Sequence, residues 1–208
     1  MRKNQGPTFS FVSLVFISIL LAAAARADEL APDALVRKIA AEAIAAAKTD
    51  PELAAGDRRK ALLFAEQNIL PYFDFLEATR IAVGRPWWRA SKAQQDQLVA
   101  EFRALLIRTT NAVQRYEGQT LVTLPLNMKP GDTDVTVRNR YVMPGRKPVQ
   151  LDFAMHKTPQ GWKIYDIVVE GMSLVLTYRS DFEPVLRQEG IDALIKRLAE
   201  KNRAASAT

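Results

Sequence analysis

The chain has 208 residues, no cysteine and a formal net charge of +6 at pH 7. Its length suits one domain with a sizeable core, and the absence of cysteine excludes a disulfide-stapled scaffold. The mild charge argues against a nucleic-acid-binding protein.

The N-terminus has the pattern of a secretory signal peptide. Arg2 and Lys3 are basic, residues 9–21 are apolar, and Ala25-Arg26-Ala27 has the small residues of a cleavage site. The apolar run is shorter than the roughly 20 residues that a transmembrane helix needs. We therefore predict cleavage after Ala27 and export of the rest of the chain.

Cleavage leaves a single mature domain. We assign residues 1–27 to the signal peptide and residues 28–208 to the domain. Its net charge is 6 − 3 = +3, because the signal contains three basic residues and no acidic one. No cysteine is present at the cleavage site to carry a lipid anchor, so we expect a soluble mature protein, free to move between membranes if the source is a double-membraned bacterium.

The first part of the domain is predicted to be helical. A helix at 32–48 precedes a second that starts at Asp50-Pro51, where aspartate is a good cap and proline fits the first helical position. A third helix ends at Gly84, a residue type common just after helices. The capping box Ser91-Lys92-Ala93-Gln94 opens a long helix predicted to span 91–117.

After residue 118 the apolar period changes from that of a helix to that of a strand. The predicted strands are 120–124, 135–141, 149–155 and 162–170, and the final helices are 172–188 and 191–201. Consecutive strands with short turns form an antiparallel meander. The predicted fold class is α+β, with helices packed on an antiparallel sheet of four or slightly more strands.

Few residues offer catalytic chemistry. His156 is the only histidine, and Gly171-Met172-Ser173-Leu174-Val175 lacks the second glycine of a nucleophile elbow. Asp152 and Asp166 lie on neighbouring predicted strands and could form an acid–base pair. Alternatively, both point away from the core and meet Lys or Arg partners at the sheet edge. We predict no metal and no cofactor.

The chain also carries much apolar surface that needs cover. Apolar residues follow one face of the long helix and alternate along the strands. The run at 161–173 then joins an apolar strand to a helix through Gly171. A filled core and a hollow one give the same pattern, so periodicity alone leaves the function open.

Five segments carry a family resemblance, at 75–88, 102–109, 162–174, 178–182 and 190–195. The most specific is Trp162-Lys163-Ile164-Tyr165-Asp166-Ile167-Val168-Val169-Glu170-Gly171-Met172-Ser173-Leu174. These segments resemble the MlaC family of periplasmic phospholipid-binding proteins, also called toluene-tolerance or ABC-transporter auxiliary proteins. Pro86 with Trp88 departs from the family pattern, which more often has a polar or aromatic residue before its Trp.

The resemblance implies a periplasmic carrier without enzymatic activity. Such a protein is expected to be a monomer that shuttles glycerophospholipid between an outer-membrane lipoprotein–porin complex and an inner-membrane ABC transporter complex with its substrate-binding ring. This transport maintains the lipid asymmetry of the outer membrane. The acyl chains would enter a deep apolar cavity between the sheet and the helices, with the headgroup near its mouth.

Twelve apolar side chains are expected to line that cavity. They are Phe75, Phe102, Leu106, Val113, Val137, Leu151, Phe153, Ile164, Val168, Met172, Val175 and Tyr178. Two alternatives remain at this point. One is a small periplasmic enzyme with Asp166, Tyr165 or Asp152 as acid–base groups, and the other is a structural or chaperone-like partner with a filled core.

Overall fold

The computed structural model of the protein describes residues 30–110 and 115–206. The predicted signal peptide and the expected lining residue Val113 lie outside these ranges, so both stay predictions.

Helices dominate the first half of the described chain. They are α1 (Pro32–Thr49), α2 (Pro51–Ala55), α3 (Arg58–Asn68), a first 3-10 helix (Leu70–Tyr72), α4 (Phe75–Val83), a second 3-10 helix (Arg85–Arg89) and α5 (Lys92–Thr110). Aspartates at 50, 57 and 74 cap α2, α3 and α4 by accepting hydrogen bonds from free backbone N–H groups of the first turn. The cap at Asp50 was predicted.

Strands and two closing helices make up the second half. They are β1 (Thr120–Thr123), β2 (Asp134–Val137), β3 (Asn139–Val142), β4 (Val149–Thr158), β5 (Gly161–Val169), β6 (Met172–Ser173), α6 (Leu174–Gln188) and α7 (Ile191–Ser206). The strands form one antiparallel sheet in the order β1-β3-β4-β5-β6, with β2 also paired to β4. The predicted α+β class, helices on an antiparallel sheet, is confirmed.

Three details of the prediction were wrong. The long helix does not reach 117, because the backbone N–H of Tyr116 donates to the carbonyl of Ala54 instead. The helix after Asp50 breaks at Gly56, which has a left-handed φ of 87°. The strand predicted at 135–141 is interrupted at Arg138, although β2 and β3 keep one register against β4.

The junction at Gly171 also differs from the prediction. A tight turn, not a single small residue, separates the strand from the helix: Glu170 and Gly171 both have positive φ, 49° and 81°. The turn folds β6 back on β5 before α6 begins at Leu174.

Two separate hydrophobic cores fill the domain. The helical core lies among α4, α5, α6, α7 and the second 3-10 helix, and the sheet core lies between α1 and the strands. Leu98, Phe102 and Leu105 of α5 are at the centre of the helical core. Val137, Met155 and Ile164 form the sheet core with Leu35 and Val36 of α1.

Candidate functional site

The register of the strands assigns every side chain to one of two sheet faces. Val137, Phe153 and Ile167 are paired across β2, β4 and β5, so they lie on one face, which we call the core face because the sheet core packs on it. Asp152 is paired with Val168, and both lie on the opposite, outer face.

A β-bulge between Ala154 and Met155 decides which residues of β5 reach the core face. Before the bulge Ile164 faces the core, opposite Met155. After it the alternation has shifted by one residue, so that Ile167 takes that face, opposite Phe153. Sequence reasoning missed Ile167 for this reason.

The helices cover only part of the core face. α1 packs along β1 and β2, whereas in the described residues neither α3 nor α5 packs along a strand. Tyr141, Leu151, Phe153 and Ile167 are consequently half buried. This row of apolar side chains, which we call the apolar strip, is where the core face lacks a covering helix.

The helices α2 and α3 form a segment that we call the arm. At one end, Ala54 accepts the Tyr116 N–H just before β1. At the other end, Phe73 bridges to Ile164 of β5 and packs on the sheet core. The chain that contains the arm is therefore tied to the sheet at two places, just before β1 and at β5.

The arm itself has no core. Neither α2 nor α3 contains a buried residue, although Leu53, Leu62 and Phe64 are apolar and half buried. These side chains belong to neither core, so their apolar surface is only partly covered by the described protein. We take the apolar strip and the arm together as the candidate site.

Six of the twelve expected lining residues lie inside the two filled cores. They are Phe102, Leu106, Val175 and Tyr178 in the helical core, and Val137 and Ile164 in the sheet core. The Phe102 ring makes edge-to-face contacts with Tyr178 and Phe182, at centroid distances of 5.1 and 5.3 Å. The Tyr178 hydroxyl is 3.0 Å from Thr109 Oγ1. The four residues of the helical core are therefore packed against protein and are not part of the apolar strip.

The other expected lining residues differ in position. Phe75, Leu151 and Phe153 are half buried, and Leu151 and Phe153 belong to the apolar strip. Val168 lies on the outer face opposite Asp152, away from the apolar strip. Met172 is 69% exposed in the short strand β6 and contacts neither core.

The two candidate acid–base carboxylates, Asp152 and Asp166, accept hydrogen bonds from backbone N–H groups of other segments. Asp166 Oδ1 accepts the Val175 N–H at 3.0 Å, and Ser173 Oγ donates to its Oδ2. Asp152 Oδ1 accepts the Asn139 N–H at 3.1 Å, and its Oδ2 accepts from Gln150 Nε2 at 2.6 Å. Both point away from the core as one alternative had it, but their partners are neutral rather than Lys or Arg.

The remaining polar candidates form a small cluster at the start of α4. His156 Nε2 lies 3.0 Å from Asp74 Oδ2, and the Tyr165 hydroxyl donates to Asp134 Oδ1 at 3.1 Å. Burial, followed by the nearby Asp134 carboxylate, raises the pKa of Tyr165 to about 12. A phenol with so high a pKa is a poor acid or base near neutral pH. Across residues 30–110 and 115–206, no three acidic or histidine side chains converge on a metal site.

No helix in the described part of the chain is both long and apolar enough to cross a membrane.

Comparison with known proteins gives three consistent results. The family model for the MlaC protein matches residues 37–200. The intermembrane phospholipid transport system binding protein MlaC of Haemophilus influenzae is 22% identical over 197 residues, which cover 92% of this chain and 91% of that protein. A phospholipid-binding protein from Ralstonia solanacearum, solved in complex with a phospholipid, is 36% identical with a TM-score of 0.76 and covers 84% of this chain and 98% of its own.

The matched segment includes α1 except its first turn, the arm, the whole sheet and most of α7. The chain belongs to the MlaC family.

Proposed function

We propose that this protein is a periplasmic carrier that holds the acyl chains of a glycerophospholipid between the apolar strip and the arm. The observation that carries the proposal is the half-buried apolar strip: in the described chain no helix packs along β3 or β4, and only α4, α6 and the first 3-10 helix pack against β5. The relative from Ralstonia solanacearum, solved with a phospholipid, supports this choice of ligand.

The proposed lining joins predicted and newly found residues. Leu151 and Phe153 were expected, and we add Tyr141 and Ile167 from the strip together with Leu62 and Phe64 from the arm, because all four are apolar and half buried. Phe75 sits beside this space, stacked on Phe73 with ring centroids 5.9 Å apart. All members of this set are apolar and half buried. Phe75 packs against the helical core and Phe153 against the sheet core, whereas the other members belong to neither core.

The energy of acyl-chain burial determines how such a carrier works. Each buried methylene is worth about 0.8 kcal/mol, so two acyl chains with some 30 methylenes represent roughly 24 kcal/mol. Spontaneous release into water is therefore negligible. We propose that lipid is handed over by docking on an outer-membrane lipoprotein–porin complex and on an inner-membrane ABC transporter complex with its substrate-binding ring, which keeps the outer membrane asymmetric.

The cellular setting belongs to the same proposal. We propose that residues 1–27 are removed on export and that residues 28–208 act as a monomeric, non-enzymatic domain. The intermembrane transport system named for the Haemophilus relative supports a periplasmic location. The structural hydrogen bonds of Asp152 and Asp166 support a binding role over an acid–base one.

Extraction of the purified protein followed by mass spectrometry tests the function. We expect co-purified phospholipid at near one molecule per chain. Leu151→Arg, which places a charge on the apolar strip, is expected to remove most of this lipid. Gln150→Arg is the matched control because Gln150 is the exposed neighbour on the outer face of the same strand. A lipid-free parent protein with a stable fold would overturn the proposal.

A further inference from the structure

The helices α4 and α6 begin next to each other on β5. The Asp74 N–H, at the cap of α4, donates to the Ile164 carbonyl at 2.8 Å, and Asp166, two residues along β5, accepts the Val175 N–H of α6. Each helix exposes a leucine in its first turn. Leu76 is 56% exposed and Leu176 is 50% exposed.

Trp88 extends this apolar surface at the far end of α4. Its neighbour Trp87 is buried in the helical core, so the second 3-10 helix is anchored there and Trp88 is turned outward, 72% exposed. The Arg80 guanidinium lies 5.8 Å from the centre of the Trp88 ring. Arg80 is one helical turn from Leu76 on α4, so the leucine and the tryptophan flank one arginine.

Three further arginines surround this surface. Arg85 and Arg89 flank the tryptophan pair, and the Arg179 guanidinium packs over Gly84, 3.4 Å from the position that a β-carbon would take there. None of the three forms a salt bridge with a carboxylate of the described residues, whereas Arg80 is paired with Glu77. The exposed acidic residues of α6 are Asp181, two positions after Arg179, and Glu183, one turn beyond it.

The surface is linked to the proposed lipid site through β6. Val169 lies on the core face at the open end of the apolar strip, paired with Leu151, and it is exposed. It is also paired with the exposed Met172 of β6, and α6 begins two residues later at Leu174. The end of the strip is therefore joined by a short connection to the start of α6.

A single exposed apolar residue is normal on a protein surface. The combination of Leu76, Trp88 and Leu176 with several arginines is less usual. Tryptophan is enriched where proteins meet the boundary between lipid and water, and each nearby arginine adds attraction to anionic headgroups. Tryptophan and arginine are also frequent in protein–protein contacts, but arginines that lack carboxylate partners in the described residues and surround an exposed tryptophan are suited to a layer of lipid phosphates.

We propose that Leu76, Trp88 and Leu176, with Arg85, Arg89 and Arg179, form a docking surface for an anionic lipid bilayer. Trp88 and the two leucines enter the headgroup region, and the arginines pair with lipid phosphates. The inference rests on the proposed carrier function, because it brings the open end of the apolar strip to the membrane from which lipid is taken or to which it is delivered.

Vesicle sedimentation with the full mature protein tests this surface. We expect binding to phosphatidylcholine vesicles that contain phosphatidylglycerol, and much weaker binding to phosphatidylcholine alone or at high salt. The double variant R85Q/R89Q is expected to bind about 30-fold more weakly, which corresponds to two lost charges near the surface. Trp88→Ala is expected to weaken binding further, while K201Q/R203Q, a matched charge change at the exposed end of α7, binds like the parent.

The outcomes separate this surface from the carrier function. Lipid content by extraction is expected to stay at the parent level in every variant, because none of these residues lies on the apolar strip. Unchanged vesicle binding in Trp88→Ala and R85Q/R89Q overturns the bilayer proposal. The bilayer proposal is also overturned, in favour of a protein partner, by a second outcome. In that outcome the parent does not bind vesicles but binds a membrane protein, and Trp88→Ala abolishes this binding. A parent without bound lipid contradicts the carrier function instead.

Discussion

Single polar residues add to the apolar contacts that hold the elements of the domain together. Asp74 caps α4 and is hydrogen-bonded to His156. At the break between β2 and β3, the Asp152 carboxylate accepts the hydrogen bond of the Asn139 backbone N–H. Each of these carboxylates is at least partly shielded from water and accepts two hydrogen bonds. These two aspartates therefore connect separate parts of the backbone through their hydrogen bonds.

Tyr165 gives the protein a dependence on alkaline pH. Its folded pKa of about 12 lies above the ordinary tyrosine value of about 10, because burial and Asp134 disfavour the phenolate. The stabilisation is complete below pH about 10 and is lost as the pH rises through about 12, since only the unfolded state releases its proton in that window.

We expect the free energy of unfolding to fall across that window, and to fall less in Tyr165→Phe. Denaturant titrations at several alkaline pH values measure the difference between the two proteins. Identical slopes for the parent and the variant would show that Tyr165 does not titrate differently in the folded state.

Helix α6 depends on two acceptors at its start. Ser173 Oγ accepts the Leu176 N–H at 3.0 Å, and Asp166 accepts the Val175 N–H, so two of the free N–H groups of the first turn are satisfied. Asp166 also receives the Ser173 hydroxyl, which fixes the capping serine. The strand β5 and the helix α6 are thereby joined around one carboxylate.

Asp166→Ala is expected to lower the free energy of unfolding by about 2 kcal/mol, as for the loss of a good helix cap. Asp166→Asn should lose less, because the amide oxygen still accepts from the backbone. Urea denaturation measures both. Asp181→Ala, at an exposed position of the same helix, is the control and should change stability by less than about 0.5 kcal/mol. An equal loss in the control would argue against a special role for Asp166.

At the scale of elements, sequence patterns predicted most of the fold. The alternation at 149–155, the cap at Asp50 and the change of period after Gly118 all correspond to observed structure. The errors arose where the decisive contact is distant in sequence. The helix predicted to reach 117 ends earlier because the Tyr116 N–H is bonded to Ala54, more than sixty residues away.

The candidate site was less accessible to sequence reasoning than the fold. Six expected lining residues are apolar but lie in filled cores, because periodicity finds buried faces without telling a core from a cavity. Ile167 was missed because a bulge reverses the alternation in mid-strand. One sequence signal for the arm was present, since α2 and α3 are amphipathic but short and separated by Gly56.

The whole molecule combines two rigid cores with one arm that lacks a core. α1 and α5 contribute fully buried side chains, whereas α2 and α3 contribute none. Segments with few buried contacts open at low free-energy cost. A lipid bound at the proposed site is therefore expected to stabilise the arm selectively, because its acyl chains would supply the contacts that the protein omits.

Hydrogen exchange on lipid-loaded and lipid-stripped protein tests this division. We expect amides of α3 to exchange slowly with lipid and much faster without it, while amides of α5 before residue 110 change little. Leu151→Arg should show fast exchange in α3 under both conditions, because a charge on the apolar strip disfavours acyl chains. Gln150→Arg should respond to lipid like the parent. Equal protection of α3 with and without lipid would mean that the arm is held by the protein alone, and the lipid would then have to lie elsewhere.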